Sequence, residues 1–187
     1  MDKLKIITEL ISGSAKEVKL LPVEEDVLKL ISENVQLDAE GLLGTVVLNF
    51  GGIVIDNWLR IYGAGKANFY KRNADFSFNG ILVAEDILGG LFAWAENGYI
   101  WYFAPDTLEW EDLEINYSQF INWCLNGDTD AFYSDFRWST WREDVANLPI
   151  EKGVSFYPFL WAKAESMDAR SRREISMDEM IRGNVTT

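Results

Sequence analysis

The sequence has 187 residues, of which 48% are hydrophobic and 25% charged, a composition typical of one globular domain spanning residues 1–187 rather than of a disordered chain. Its net charge of −13 disfavours binding to nucleic acid. No run reaches the ~18 apolar residues of a membrane span, and the N-terminus lacks a signal peptide's apolar core, so we expect a cytoplasmic protein that does not bind membranes. The lack of histidine excludes Ser-His-Asp catalysis and nearly all zinc sites.

Two helices and a short strand are predicted in the first forty residues. Asp2 fits the N-cap of a helix over residues 3–11, which Gly13 ends. Val18–Leu21 fits a strand. A second helix is predicted from Val23 to Asn34, because acidic residues in its first turn complement the helix dipole.

The next segment combines one further helix with three strands. The apolar run Leu42–Phe50 is predicted to be a helix, because two glycines follow it as a stop signal. Buried strands are expected at residues 53–55, 58–62 and 81–84, a surface loop at residues 66–79, and a plain connection at Glu85-Asp86. The run Gly63–Lys66 lacks the full spacing of a phosphate-binding loop and is interpreted as a loop without that role.

Residues 90–113 predict three antiparallel strands. Asn97-Gly98 is a preferred dipeptide of two-residue hairpin turns, which would place Trp94 opposite Trp101. One face would then carry four aromatic side chains, which we interpret as core that the later helices cover: Phe92, Trp94, Trp101 and Phe103. The third strand, Leu108–Leu113, alternates apolar and acidic residues, as a strand with one face in water does.

Capping signals predict the helices of the last third. Asn116 with Gln119, and Thr140 with Glu143, have the spacing of capping boxes, and Asp128 fits an N-cap. The first of these helices holds Cys124, interpreted as a small buried hydrophobe. The apolar segment 154–161 is expected to pack across the core, residues 176–179 to cap a final helix, and the arginines of residues 170–173 to lie in a solvated tail or to pair with acidic groups.

The acidic charge is concentrated around the predicted strands. Residues 85–144 carry thirteen acidic residues against two arginines. We predict an interaction surface for a basic protein in this region, since complementary charge accelerates association. Its candidate residues are Glu96, Glu109, Glu111 and Asp112. The alternative is that these charges serve solubility alone.

Two long motifs resemble a bacterial family known only as a domain of unknown function. They are Gly51–Asp56 with Trp58–Ile61, and Phe103–Leu113, and the similarity extends from about Leu42 to Arg173. More distantly, a helical N-terminus, a Gly-Gly strand entry and an aromatic meander are similar to the SUKH superfamily. That resemblance implies an α+β fold and a binding module without catalytic residues or cofactor, such as an immunity protein that neutralises a toxin.

The sequence thus predicts a single α+β domain with a mainly antiparallel central sheet, covered by N-terminal helices and by aromatic C-terminal helices. We find no catalytic constellation, and we expect no metal and no cofactor. Two alternative functions stay open. In the first, the protein binds a carbohydrate, or processes a glycan as an enzyme, through a platform of Trp94, Trp101 and Trp110 beside carboxylates. In the second, the aromatic patch is the interface of a homo-oligomer.

Overall fold

Seven strands form one antiparallel sheet in which each strand pairs with the next along the chain. The computed structural model describes residues 2–74, 76 and 79–185. In sheet order the strands are β1 (Val18–Leu21), β2 (Gly52–Ile55), β3 (Leu59–Ile61), β4 (Gly80–Asp86), β5 (Leu91–Ala95), β6 (Tyr99–Ala104) and β7 (Glu109–Asn116). The predicted α+β class with an antiparallel central sheet is confirmed.

Eight α-helices, one 3-10 helix (Ser134–Phe136) and a separate two-stranded hairpin complete the described part of the chain. The helices are α1 (Lys3–Gly13), α2 (Glu25–Asn34), α3 (Leu42–Asn49), α4 (Phe69–Ala74), α5 (Tyr117–Asn126), α6 (Thr129–Phe132), α7 (Trp141–Val145) and α8 (Met177–Val185). The hairpin pairs β8 (Lys152–Tyr157) with β9 (Ser171–Ser176).

Both faces of the sheet are covered. One face, here called the helical face, carries Ile53, Phe92 and Tyr102 and packs against α1, α3, α5 and α6, with the Phe92 and Phe120 rings 5.0 Å apart. The opposite face, here called the C-terminal face, packs against α4, the loop of residues 146–151, the β8–β9 hairpin and α8. A backbone hydrogen bond from Val154 N to Ile87 O (2.8 Å) fixes the hairpin to this face.

Three of the predicted helix caps are present in the structure, and one is not. The Asp2 side chain accepts from Lys5 N at the start of α1, and the reciprocal capping box of Asn116 and Gln119 opens α5. The Asp128 side chain accepts from Ala131 N at the start of α6. The Thr140 capping box is wrong, because the Thr140 hydroxyl instead donates to the Asp144 side chain.

The predicted register of the β5–β6 hairpin is wrong by one residue. Trp94 lies opposite Ile100 and Phe92 opposite Tyr102, so the connection has three residues, Glu96–Gly98, rather than two. Only Gly98 in this loop has positive φ (85°), as in a type I turn followed by a left-handed glycine. A one-residue slip exchanges the faces of one strand, so the predicted shared face of Phe92, Trp94, Trp101 and Phe103 does not exist.

The predictions for two further segments are wrong. One contains a helix that was not predicted, and the other does not pack as expected. Within residues 66–79, expected to be a surface loop, Phe69 is buried and opens α4. The segment 154–161 does not cross the core as a unit: Val154 and Phe156 are buried, whereas Phe159 and Trp161 are largely exposed. Val154 and Phe156 are alternate residues of β8 and face inward, whereas Phe159 and Trp161 follow the end of β8 and lie in the connection to β9.

Replacing Gly98 with alanine tests the geometry of the three-residue turn. Gly98 and Gly13 both have open space where a Cβ would be added, but only Gly98 has positive φ. Gly98→Ala should therefore lower the free energy of unfolding by about 1 kcal/mol. Gly13→Ala, the matched control, should leave it unchanged or raise it by up to about 1 kcal/mol. Urea unfolding measures both, and equal effects of the two substitutions would contradict the turn geometry.

Candidate interaction surface

Four acidic residues lie on or close to β7, which is one of the two terminal strands of the seven-stranded sheet. We call them the acidic edge: Glu96, Glu109, Glu111 and Asp112. The last three belong to β7, the terminal strand in the sheet order, and all four side chains are exposed. The alternation of Leu108 and Trp110 with Glu109 and Glu111 in the sequence predicted the exposure of these two glutamates correctly.

The strand register assigns these carboxylates to both sides of β7. Glu109 and Glu111 lie opposite Ala104 and Tyr102 and share the helical face, whereas Asp112 lies opposite Trp101 on the C-terminal face. The turn between β5 and β6 brings Glu96 near this strand, because the neighbouring Asn97 donates from Nδ2 to Asp112 Oδ2 (3.2 Å). The four residues therefore border the same side of the sheet, on both of its faces.

No basic side chain neutralises this border within the part of the chain that the structure describes. Residues 73–136 contain neither lysine nor arginine, and none of the ion pairs involves an acidic-edge residue. Two of the thirteen acidic residues counted from the sequence, Glu85 and Asp86, are buried and do not belong to this surface. The border is thus negative and open to a cationic partner.

A single platform of the three predicted tryptophans is ruled out by the register. Trp94 lies on the helical face, stacked 5.5 Å from Tyr117, and donates from Nε1 to Gly98 O. Trp101 and Trp110 lie on the C-terminal face, where Trp110 packs 5.5 Å from Phe103. The three rings therefore do not share one surface.

Glu85 is the centre of a buried ionic network on the C-terminal face. It is 3% exposed, and its Oε2 accepts hydrogen bonds from Arg72 Nε (2.7 Å) and Tyr62 Oη (2.8 Å). Its Oε1 lies 3.5 Å from Nη1 of Arg60, which is 1% exposed. Burial, and next the Glu85 carboxylate, raise the pKa of Tyr62 well above its ordinary value.

The two arginines of this network extend it to the covering layer. Arg60 Nη2 donates to the backbone carbonyls of Pro149 (3.1 Å) and Lys152 (2.7 Å). Arg72 Nη1 pairs with Asp178 at the start of α8, and Lys71 pairs with the same carboxylate at 2.5 Å. Burial opposes ionisation of Asp178, but the hydrogen bonds from Lys71 and Arg72 outweigh it and lower its pKa.

Asp86 forms a second buried centre, on the helical face. It is 0% exposed, and its Oδ2 accepts from Tyr102 Oη (2.7 Å) and Tyr133 Oη (3.0 Å). Its Oδ1 accepts from the backbone N–H groups of Leu88 and Gly90, both at 2.9 Å. Burial raises the pKa of Asp86, and these four hydrogen bonds oppose the rise.

These enclosed carboxylates connect the sheet to the layers that cover it. Sequence reasoning missed both by treating Glu85-Asp86 as a plain connection. The available signal was two acidic residues directly after the apolar run Ile81–Ala84, together with an arginine, Arg60, inside another apolar strand. Buried charges require partners, so such positions indicate an internal network.

Arg137 occupies an aromatic cage that would otherwise suit a cationic ligand. Its guanidinium lies 3.9 Å from the Trp58 ring centroid and 3.6 Å from that of Trp141, and its side chain is 10% exposed. Burial lowers its pKa to about 10, which leaves it charged at pH 7. Asp130 Oδ1 lies 3.6 Å from Arg137 Nη2. The cage is therefore filled by the chain's own cation.

Neither metal binding, membrane spanning nor the single cysteine gives a site among the described residues. Among residues 2–74, 76 and 79–185, no three histidine, cysteine or acidic side chains are grouped so that they could hold a metal ion. Within the same residues, no helix is both long and apolar enough to cross a membrane. Cys124 is buried as predicted, and burial raises the pKa of its thiol.

Comparisons with known proteins give a family and relatives of unknown role. The model of the family described as "Protein of unknown function DUF2625" matches residues 2–180. An uncharacterised protein of Escherichia coli strain K12, YbfG, is 37% identical over 189 residues, covering 94% of this chain and 87% of that protein. An uncharacterised protein of Haemophilus influenzae is 30% identical over 168 residues, covering 80% of this chain and 74% of that protein.

The pH dependence of stability tests the burial of Asp86. Its pKa is raised in the folded protein above the ordinary 3.8, so the folded state keeps a proton that the unfolded state releases. The stability that this proton gives is complete below pH 3.8 and is lost as the pH rises through the folded pKa.

We therefore expect the free energy of unfolding of the wild type, minus that of Asp86→Asn, to fall as the pH rises from about 4 and then to level off. The fall amounts to about 1.4 kcal/mol for each pH unit between the two pKa values. Urea unfolding at stepped pH measures the difference. A difference that rises with pH would contradict the assignment.

Proposed function

Because the chain belongs to the DUF2625 family, whose function is unknown, we propose a function from its surface: a cytoplasmic protein-interaction module whose acidic edge binds a basic protein. The observation that carries the proposal is the row of exposed, unneutralised carboxylates on a terminal strand. Clustered charge of one sign steers an oppositely charged partner and raises the association rate.

The position of these carboxylates supports binding of a different protein rather than a second copy. A free edge strand offers backbone N–H and C=O groups to which a partner strand can add. Two copies of β7 would bring like charges together, because Glu109, Glu111 and Asp112 would be repeated across the new pairing. Like charges on an edge oppose self-association, whereas a basic partner gains from them.

The partner class that we propose is a basic protein toxin, and the function is neutralisation of that toxin. A nuclease active site is basic because it binds phosphates, so an acidic border could cover it by charge complementarity. The similarity to the SUKH superfamily points the same way, although it stays a prediction. Covering the toxin's active site requires neither a cofactor nor a catalytic residue in this chain.

Charge reversal of β7 tests this function. The partner is first captured from cells of the source organism on the immobilised protein, and its association rate is then measured by surface plasmon resonance. The triple variant Glu109→Lys, Glu111→Lys, Asp112→Lys should associate at least about tenfold more slowly at low salt, because it removes the steering charge. The difference should shrink near 1 M salt, where charges are screened beyond about 3 Å.

A second triple variant separates local charge from net charge. Glu33→Lys, Glu40→Lys and Glu165→Lys change the net charge equally at exposed positions outside the acidic edge. This control should bind nearly as fast as the wild type. Equal slowing by both variants, or no captured partner, would refute the proposed surface. A captured partner whose enzymatic activity persists in the complex would refute neutralisation while leaving the interaction intact.

A further inference from the structure

An apolar groove with a volume of about 410 Å³ lies between α8, the β8–β9 hairpin and the segment of residues 159–161. Its floor consists of buried apolar side chains: Leu88, Val154, Phe156 and Met180. This volume lies within the range of about 300–1,000 Å³ found for small-molecule sites. None of these residues belongs to the acidic edge.

The outer wall of the groove is an exposed aromatic pair. The Phe159 and Trp161 rings are parallel, with centroids 4.6 Å apart and an angle of 14° between their planes. Phe159 is 47% exposed and Trp161 43%, which is unusual for side chains of this size. The pair therefore offers an open aromatic surface beside the groove.

The backbone of this wall is fixed before any ligand binds. Arg170 donates from Nη1 to the carbonyls of Pro158 (2.7 Å) and Phe159 (2.6 Å), and from Nη2 to that of Ala162 (2.8 Å). Ala162 N also donates to Phe159 O (2.9 Å). A preformed wall lowers the entropy lost on binding. The basic cluster predicted at residues 170–173 therefore includes a structural arginine rather than a free tail.

The rim of the groove carries two opposite charges. Arg173 is exposed and makes no side-chain hydrogen bond or ion pair with any residue that the structure describes. Glu179, also exposed, lies on the α8 side. Residues 145–187 contain six basic and six acidic residues, so the chain's net negative charge lies entirely in residues 1–144. Among the residues that line the groove, Arg173 and Glu179 carry the charges and balance each other, so an anion meets less repulsion here than at the acidic edge.

We propose that the groove binds a small aromatic acid. The ring lies on the apolar floor against Phe159 and Trp161, the carboxylate pairs with Arg173, and an N–H or O–H donor on the ring faces Glu179. Arginine is suited to this role because its guanidinium can bind a carboxylate through two parallel hydrogen bonds. A ligand ring can stack on this aromatic pair in the same way as Phe159 and Trp161 stack on each other, because aromatic rings attract at such centroid separations.

Two fluorescent probes that differ in charge test the proposal. 1-Anilinonaphthalene-8-sulfonate carries an anionic group, whereas N-phenyl-1-naphthylamine has the same rings without it. Arg173→Gln should raise the dissociation constant of the sulfonate probe at least fivefold. It should change the dissociation constant of the neutral probe by less than twofold. Glu179→Gln should tighten binding of the sulfonate probe, because it removes a negative charge that repels the sulfonate. Phe159→Ala and Trp161→Ala should weaken both probes, with thermal unfolding confirming that each variant folds.

A matched control excludes effects of net charge. Lys163→Gln removes an exposed cation that does not line the groove and should leave both probes unchanged. Indole-3-acetate should displace the sulfonate probe from the wild type at least fivefold more effectively than the neutral indole-3-acetamide. Equal displacement, equal effects of Arg173→Gln and Lys163→Gln, or probe binding indifferent to Phe159→Ala would overturn the proposal. Self-association abolished by Phe159→Ala in sedimentation would also overturn it, since a second copy would then cover the groove.

Discussion

Two adjacent buried carboxylates at the end of β4 hold the two layers of this protein to its sheet. Successive side chains of a strand point to opposite faces, so Glu85 and Asp86 serve different layers from neighbouring positions. Glu85 binds Arg60 and Arg72, which extend to the backbone of Pro149 and Lys152 and to α8. Asp86 binds Tyr133, in the segment that follows α6 on the helical face. Removing one partner of a buried ion pair typically costs about 3–5 kcal/mol, because the remaining charge stays buried without compensation.

The sites that we propose both lie at the surface. Glu85 and Asp86 are enclosed with their arginine and tyrosine partners, and the aromatic cage of Trp58 and Trp141 is filled by Arg137. The two regions differ in charge. The acidic edge concentrates exposed carboxylates on and beside a terminal strand and fits a basic protein, whereas the groove beside α8 is lined by Arg173, which has no side-chain partner among the described residues. Both proposals depend on the layers being held in place, since β7 is an edge and the groove has a floor only in the assembled fold.

Features set by local chemistry were predictable from the sequence, and features set by distant partners were not. The capping box of Asn116, the helix before Gly51 and the exposed carboxylates of β7 follow from residues within a few positions. The β5–β6 register failed because Asn97-Gly98 also suits a three-residue loop, in which only the glycine needs positive φ. The burial of Glu85 and Asp86 was not predicted, because their partners lie far from them in the sequence. Tyr133, for example, is 47 residues from Asp86. The pairing of β8 with β9 likewise joins Lys152 to Ser176 across a connection that has no turn signature.

Hydrogen exchange followed by mass spectrometry on Glu85→Gln tests the division of labour between the two carboxylates most directly. The substitution leaves Arg60 and Arg72 without their shared counter-charge, and it does not touch the hydrogen bonds of Asp86. We expect faster exchange in the hairpin of residues 152–176 and in α8, with the amides of α1, α3 and α5 protected as in the wild type. Equal acceleration in both layers, or acceleration confined to the helical layer, would contradict it.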